Sequence, residues 1–147
     1  MYGRILVPTD GSPLSRKALD TAIGLAGAMK AEVVALHVVP SYPTSYFEGS
    51  STRDAKEIAR IERLWAEHGQ ALAHEAQAAA EAAGVRAKSV VVTTDGVSDA
   101  ILAAVRKHRC DLVVMASHGR KGIKRLLLGS ETQHVLTRGN VPVLVVR

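Results

Sequence analysis

The 147 residues carry 47% hydrophobic and 22% charged side chains, the balance of an ordinary globular domain, and a chain of this length buries about 68–70% of its unfolded surface, so one domain over residues 1–147 is expected, with no need of a disulfide or metal staple. Nineteen Lys and Arg against fourteen Asp and Glu leave a net charge of +5, which suits phosphate ligands or nucleic acid, but Tyr2, Tyr42, Tyr46, Phe47 and Trp65 are too few and too clustered to stack single-stranded bases, and nucleic acid is set aside. The single Cys110 excludes an intrachain disulfide and a multi-thiolate zinc site, and with neither a secretory signal nor an apolar stretch of membrane-spanning length legible the expectation is a soluble, cytoplasmic protein with no membrane partner.

In chain order, the apolar run from Arg4 to Thr9 predicts a strand. Ser12 follows as an N-cap with Pro13 at the first helical position, where a missing N–H costs nothing. Leu14, Ala18, Ala22, Leu25 and Met29 then recur at helical spacing, so the first helix is expected to reach about Met29. Gly24 and Gly27 interrupt it, each unfavourable by about 1 kcal/mol against Ala, which leaves open either a close approach of helix to sheet or simple tolerance. A second strand, from Glu32 to Val39, leads into a loop from Pro40 to Arg53 rich in Ser, Thr and Pro. An alanine-rich pattern from about Asp54 to Ala83, marked by Ile58, Ile61, Trp65, Leu72 and Ala76, predicts a long helix ended by Gly84.

A third strand is expected from Arg86 to Val92, then a helix starting near Ser98 or Asp99, with Ile101, Leu102 and Val105 on its apolar face and Arg106 to Arg109 in the last turn, where cations suit the dipole. The fourth strand spans Leu112 to Ala116. Ser130-Glu131-Thr132-Gln133 reads as a capping box opening a fourth helix that stops at Gly139-Asn140, and Val141 to Val146 predicts a fifth strand. Strands alternating with helices from end to end, without an internal repeat, are the signature of βαβ units and a parallel sheet covered on both faces: an α/β protein.

In such a sheet, ligands sit beyond the carboxyl ends of the strands. The segments there are Pro8-Thr9-Asp10-Gly11-Ser12, Pro40, Thr93-Thr94-Asp95-Gly96 and Ser117-His118-Gly119-Arg120-Lys121-Gly122. The last of these runs on to Gly129 and carries three glycines with Arg120, Lys121, Lys124 and Arg125 and no anion, the composition of a phosphate cradle in which backbone N–H groups and a helix start face an oxyanion. A solvated loop with flexible glycines is the alternative. Neither a Walker-type loop nor a dinucleotide fingerprint is present. Asp10 suits ribose hydroxyls or a metal, and equally a turn residue closing the loop before Ser12. Ser130 suits a helix cap or a phosphate. His118 stands beside the candidate phosphates, yet no nucleophile or carboxylate at a recognisable spacing completes a catalytic set, so no residue is assigned a catalytic role and no protein-built metal site is expected. His37 reads as a satisfied core histidine, His68 and His74 have the wrong spacing to share a metal, and Cys110 reads as packing.

Ala116-Ser117-His118-Gly119, nine further residues and then Gly129-Ser130 closely resemble the Gly-x2-Gly-x9-Gly-Ser nucleotide motif of the universal stress protein family, with Ala116 where that motif has its first glycine. The resemblance extends through Ile5-Leu6-Val7-Pro8-Thr9-Asp10-Gly11-Ser12, Leu36-His37-Val38 and Val141-Pro142-Val143-Leu144-Val145-Val146. It implies a Rossmann-like, open five-stranded parallel sheet of order 3-2-1-4-5 and an adenine nucleotide, ATP or else ADP or AMP, accompanied by Mg2+ or Mn2+. Carried over, Pro8, Thr9 and Asp10 with the Val38 backbone hold adenine and ribose, while Ala116, Ser117, His118, Gly119, Arg120, Lys121 and Gly122, with Gly129, Ser130, Glu131 and Thr132, wrap the phosphates. The implied role is a nucleotide-dependent sensor or partner-binding module in stress response, its protein partner unknown; the rival readings are a slow ATP-hydrolysing enzyme and a basic RNA-associated protein. A homodimer through Val141 to Val146 is expected from the resemblance and from an uncharged run whose backbone edge would otherwise lie open. Pro142 suits the start of an edge strand.

Overall fold

A computed structural model of the chain describes residues 1–43, 55–119 and 128–147. Its elements are β1 (Arg4–Pro8), α1 (Pro13–Met29), β2 (Glu32–Val39), α2 (Ala55–Ala82), β3 (Ala87–Thr93), α3 (Val97–Lys107), β4 (Leu112–Ala116), α4 (Ser130–Arg138) and β5 (Val143–Val146). All four strand pairings are parallel, and the sheet order is β3-β2-β1-β4-β5.

The alternation of side chains along each strand explains the layers. Ile5 and Val7 of β1, Val33 and Ala35 of β2 and Leu112 and Val114 of β4 face α1 and α2, where they meet Ala18, Leu19, Ala22, Ala26, Ala76 and Ala80. Leu6, Val34, Leu36, Val113 and Met115 face the other way, onto Ile101, Leu102 and Val105 of α3 and Val135 of α4. The central strands are therefore apolar at nearly every position, because both of their faces are buried. β3 and β5, at the two edges, are only half covered.

The ends of the elements differ from the sequence expectation where tertiary bonds intervene. β1 closes at Pro8, although the Thr9 N–H still donates to the Leu36 carbonyl at 2.8 Å. β3 runs one residue later than expected. β5 begins at Val143, because Pro142 has no N–H to give; its carbonyl still accepts from the Val113 N–H at 3.0 Å. Ser12 caps α1 as expected, its hydroxyl accepting from the Ser15 N–H at 3.2 Å. α3 starts at Val97, with Gly96 as N-cap.

A Cβ on Gly24 would meet nothing within 4 Å and one on Gly27 only Val85 Cγ2 at 3.8 Å, so α1 merely tolerates both glycines. The close approach lies in α2: a Cβ on Gly69 would stand 2.6 Å from Val39 Cγ2 and 2.9 Å from His37 Cδ2. Among the described residues, no helix is long and apolar enough to cross a membrane.

Candidate functional site at the carboxyl end of the sheet

β1 pairs with β2 on one side and β4 on the other, and the chain leaves β1 for α1 on one face of the sheet but leaves β4 for α4 on the other, which opens a crevice above the carboxyl ends of β1 and β4. Asp10 enters this crevice from β1. Its Oδ1 accepts from the Ser12 N–H at 2.9 Å, and Gly11 between them adopts φ 77°, a left-handed turn that suits glycine. Thr9 is buried beneath, its hydroxyl 3.4 Å from that of Ser15. From β4 come Ala116, Ser117, His118 and Gly119. A Cβ on Gly119 would lie 3.1 Å from Asp10 Oδ2, so the acidic turn after β1 and the glycine turn after β4 face each other in direct contact.

The start of α4 is tied to the same place. The Gly129 N–H donates to the Ser117 carbonyl at 2.8 Å, and the Thr132 hydroxyl donates to the Ala116 carbonyl at 3.0 Å and the Ser117 carbonyl at 3.3 Å. These bonds draw Gly129 into the N-cap position and leave Ser130 as the first helical residue, so that the N-cap residue has no side chain to cap the helix. The capping box expected from Ser130 to Gln133 is therefore not formed. Glu131 turns away, its Oε2 accepting from the Ser98 N–H in the first turn of α3 at 2.7 Å, so its carboxylate does not stand before the N–H groups of its own helix. A Cβ on Gly129 would come within 3.3 Å of both the His118 Cα and the Ser117 carbonyl oxygen; a larger residue fits there only if that backbone gives by a few tenths of an ångström. His118 Nδ1 and the Ser117 hydroxyl are 3.2 Å apart.

The structure thus brings Thr9, Asp10, Ser117, His118, Gly119, Gly129 and Thr132 together at one edge of the sheet. Val38 stands at the end of β2 and packs toward the α3 and α4 side. Arg120, Lys121 and Gly122, together with Lys124 and Arg125, lie outside the described residues.

A second feature escaped sequence reasoning. Between the end of β2 and the overlying α2 is a cavity of about 240 Å3, bordered by Asp10, His37, Val38, Trp65, His68 and Leu72. Trp65, His68 and Leu72 fall at helical spacing along one side of α2, which was the available signal, but only the Gly69 approach to β2 shows that they overhang the crevice. His37 is satisfied as expected, with Nδ1 2.7 Å from the Thr9 carbonyl, and it also lines this cavity. Trp65 is stacked on Tyr42, ring centroids 6.0 Å apart at 29°. Among the described residues, no three His, Cys, Asp or Glu side chains are grouped to hold a metal ion.

An open parallel sheet with a glycine turn bound to a helix start at its switch point defines an α/β protein of the kind that takes ligands at the carboxyl edge of its strands. The chain belongs to the universal stress protein family, whose family model matches residues 1–147. It is 35% identical to universal stress protein MJ0531 of Methanocaldococcus jannaschii over 148 aligned positions, covering 100% of this chain and 83% of that protein. Among solved structures it is similar to the universal stress protein UspA from Lactobacillus plantarum, with a TM-score of 0.81 at 23% identity over 99% of this chain and 98% of that one. It is also similar to a universal stress protein solved in complex with cAMP, with a TM-score of 0.71 at 28% identity over 99% and 97% of the two chains.

Proposed function

We propose that this protein binds an adenine nucleotide, with ATP, ADP or AMP as candidate ligands, in the crevice above β1 and β4. The observation that carries the reading is the contact between Asp10 and Gly119 beside the start of α4: a carboxylate suited to ribose hydroxyls adjoins a glycine turn and a helix whose N-cap is a glycine with no side chain to offer its first N–H groups, the arrangement that suits a phosphate. The family relative with bound cAMP supports the same ligand class. In this reading Pro8, Thr9, Asp10 and the Val38 backbone hold adenosine, and Ala116 to Gly122 with Gly129 to Thr132 hold the phosphates, Glu131 through its backbone alone because its carboxylate is bound to the Ser98 N–H. Thr132 does so as a brace, since its hydroxyl is spent on the Ala116 and Ser117 carbonyls. Mg2+ or Mn2+ accompanying ATP is held chiefly by phosphate oxygens and water.

The protein then acts as a cytoplasmic sensor or partner-binding module whose loops respond to the nucleotide, and any hydrolysis is slow. Two copies join along β5, which lies at the sheet edge with Leu144 39% exposed. Edge-to-edge pairing about a two-fold axis closes at two chains.

Titration calorimetry with ATP, ADP and AMP tests the nucleotide reading. Saturable binding that Gly129→Val weakens, while circular dichroism stays native, is the expected result; no heat with any of the three at millimolar concentration overturns it.

A further inference from the structure

The end of the sheet opposite the crevice carries charge that the nucleotide does not use. The five strands run parallel, so they all begin at this end, and α1, α2 and α3 finish there. Lys30, the C-cap of α1, precedes β2; Arg86 precedes β3; Arg106 and Lys107 close α3, and Arg109 precedes β4. All five cations are exposed, and none is paired with a carboxylate among the described residues. The carboxylates nearby are engaged elsewhere. Glu32 meets Arg4 at 3.3 Å and Lys88 at 3.8 Å, Asp111 accepts from the Gly3 and Arg4 N–H groups, and Glu81 accepts from Gln77 Nε2. Most of the net charge of +5 therefore stands here, and β1, five residues or about 16 Å long, separates it from the proposed phosphates. The dipole of α3 accounts for Arg106 and Lys107 in its last turn, but Lys30, Arg86 and Arg109 lie past the last residue of the helices before them.

The backbone beneath these side chains is fixed. Lys30 and Arg109 occupy left-handed turns at φ 56° and 53°, positions that glycine takes at least cost and that here hold long cations. The Lys30 N–H donates to the Ala26 carbonyl and the Arg109 N–H to the Arg106 carbonyl. Neighbouring strands lie about 4.8 Å apart, so the row that starts at Arg86 before β3, passes Lys30 before β2 and Arg4 on β1, and ends at Arg109 before β4 extends about 14 Å. The major groove of B-DNA is about 12 Å wide, and the two ends of such a row meet the phosphates of both its strands. The segments that carry the cations, 29–31, 84–88 and 105–111, expose no large apolar side chain. A protein partner is gripped by buried aromatic or aliphatic anchors, and a bilayer by apolar groups entering beside the charges; the phosphates of a duplex ask for cations alone. The shortage of aromatic residues that disfavours single strands has no force here, because duplex bases stack on one another.

We propose that the amino end of the sheet, through Lys30, Arg86, Arg106, Lys107 and Arg109, docks on the phosphate backbone of double-stranded DNA without reading its sequence. The surface is separate from the crevice and stands whether or not the crevice holds a nucleotide. Four or five phosphate contacts give log K a slope of about −4 against log salt, so that affinity falls about 100-fold between roughly 50 and 200 mM.

The test is fluorescence anisotropy of a labelled mixed-sequence DNA duplex of about 20 base pairs, titrated with the full chain across that salt range. The combined variant Arg86→Gln, Arg106→Gln, Lys107→Gln should bind at least about tenfold more weakly and flatten the slope by about 2–3. The combined variant Arg16→Gln, Arg60→Gln, Arg63→Gln removes the same charge from α1 and α2 and should stay within about twofold of the unaltered protein. Amide resonances of Lys30, Arg86 and Arg109 should move with the duplex while those of Asp10 and Gly119 stay, and AMP should not displace it. No anisotropy change at the lowest salt, an equal loss in both variants, or displacement by AMP overturns the proposal and leaves nucleotide binding to its own test. Binding as tight or tighter to duplex RNA, to single-stranded DNA, to polyglutamate or to phosphatidylserine vesicles overturns the choice of partner. Should the first variant not fold, the amide map of the unaltered protein decides the matter.

Discussion

Glu131, in the first turn of α4, accepts a hydrogen bond from the Ser98 backbone N–H in the first turn of α3 at 2.7 Å. One carboxylate thereby satisfies an otherwise orphaned donor of a neighbouring helix and meets the positive end of its dipole. Glu131→Ala should destabilise the protein by about 1–2 kcal/mol, the value of a charge-assisted bond at a helix end, seen as a lower urea midpoint at unchanged slope. Nucleotide affinity should not fall, because the carboxylate faces α3 and not the proposed phosphates. A weakened AMP titration in this variant would mean that the side chain serves the ligand directly.

Two glycines in helices should respond in opposite ways to the same methyl group. Gly69→Ala drives a Cβ into Val39 and His37 and should cost about 1–3 kcal/mol through overpacking. Gly24→Ala meets nothing within 4 Å and should gain about 0.5–1 kcal/mol by restricting the unfolded backbone. Thermal melts of the two variants side by side check both signs.

The base of the sheet should show an acid-sensitive stability of two origins. Burial lowers the His108 pKa, helped by the cations Lys88, Lys107 and Arg4 against the opposing Glu32. With the folded value below the ordinary 6.5, its contribution is present above that pH and declines as the unfolded state takes up the proton first. Burial alone would raise the Asp111 carboxyl, but the N–H groups of Gly3 and Arg4, at 2.8 and 3.0 Å, outweigh it and hold the pKa below 3.8. Its contribution is present above that value and lost as pH falls through the folded pKa. Urea midpoints measured against pH should fall in two steps, the upper removed by His108→Gln and the lower flattened by Asp111→Asn.

Cys110 is buried, and burial pushes its thiol up to about 11. The thiolate is the reactive form, so the native protein should react with a disulfide reagent at pH 8 only as fast as it opens. Complete and immediate reaction without denaturant would show the thiol to be accessible.

The proposed dimer predicts twice the chain mass in sedimentation velocity at micromolar concentration. Leu144, 39% exposed on the edge strand, is the position to charge: Leu144→Lys should return the protein to a monomer with its circular dichroism intact. A monomeric parent protein would leave β5 to be covered otherwise.

Much of this architecture is legible in the chain. The apolar runs of β1, β2 and β4 announce strands buried on both faces, and Ser12-Pro13 marks the start of α1 to the residue. The strand order came from family resemblance, since periodicity is blind to which strands pair. The start of α4 was misjudged for a physical reason: a capping box is a local contest among Ser130, Glu131 and Gln133, and it was decided by distant groups, the Ala116 and Ser117 carbonyls taking Thr132 and Gly129 while Ser98 took Glu131. The cavity was invisible for a similar reason. Trp65 and His68 read as an ordinary helix face until Gly69 lets α2 settle onto Val39.

The strand order also sets a schedule. β1 emerges first in synthesis, but its partner across the crevice is β4, and the bonds of Asp111 to Gly3 and Arg4 span 108 and 107 residues. A chain that ends before Leu112 lacks β4 and with it one wall of the crevice. Contacts so distant along the chain slow folding, and a nucleotide bound as proposed would find its site only once β4 has joined β1.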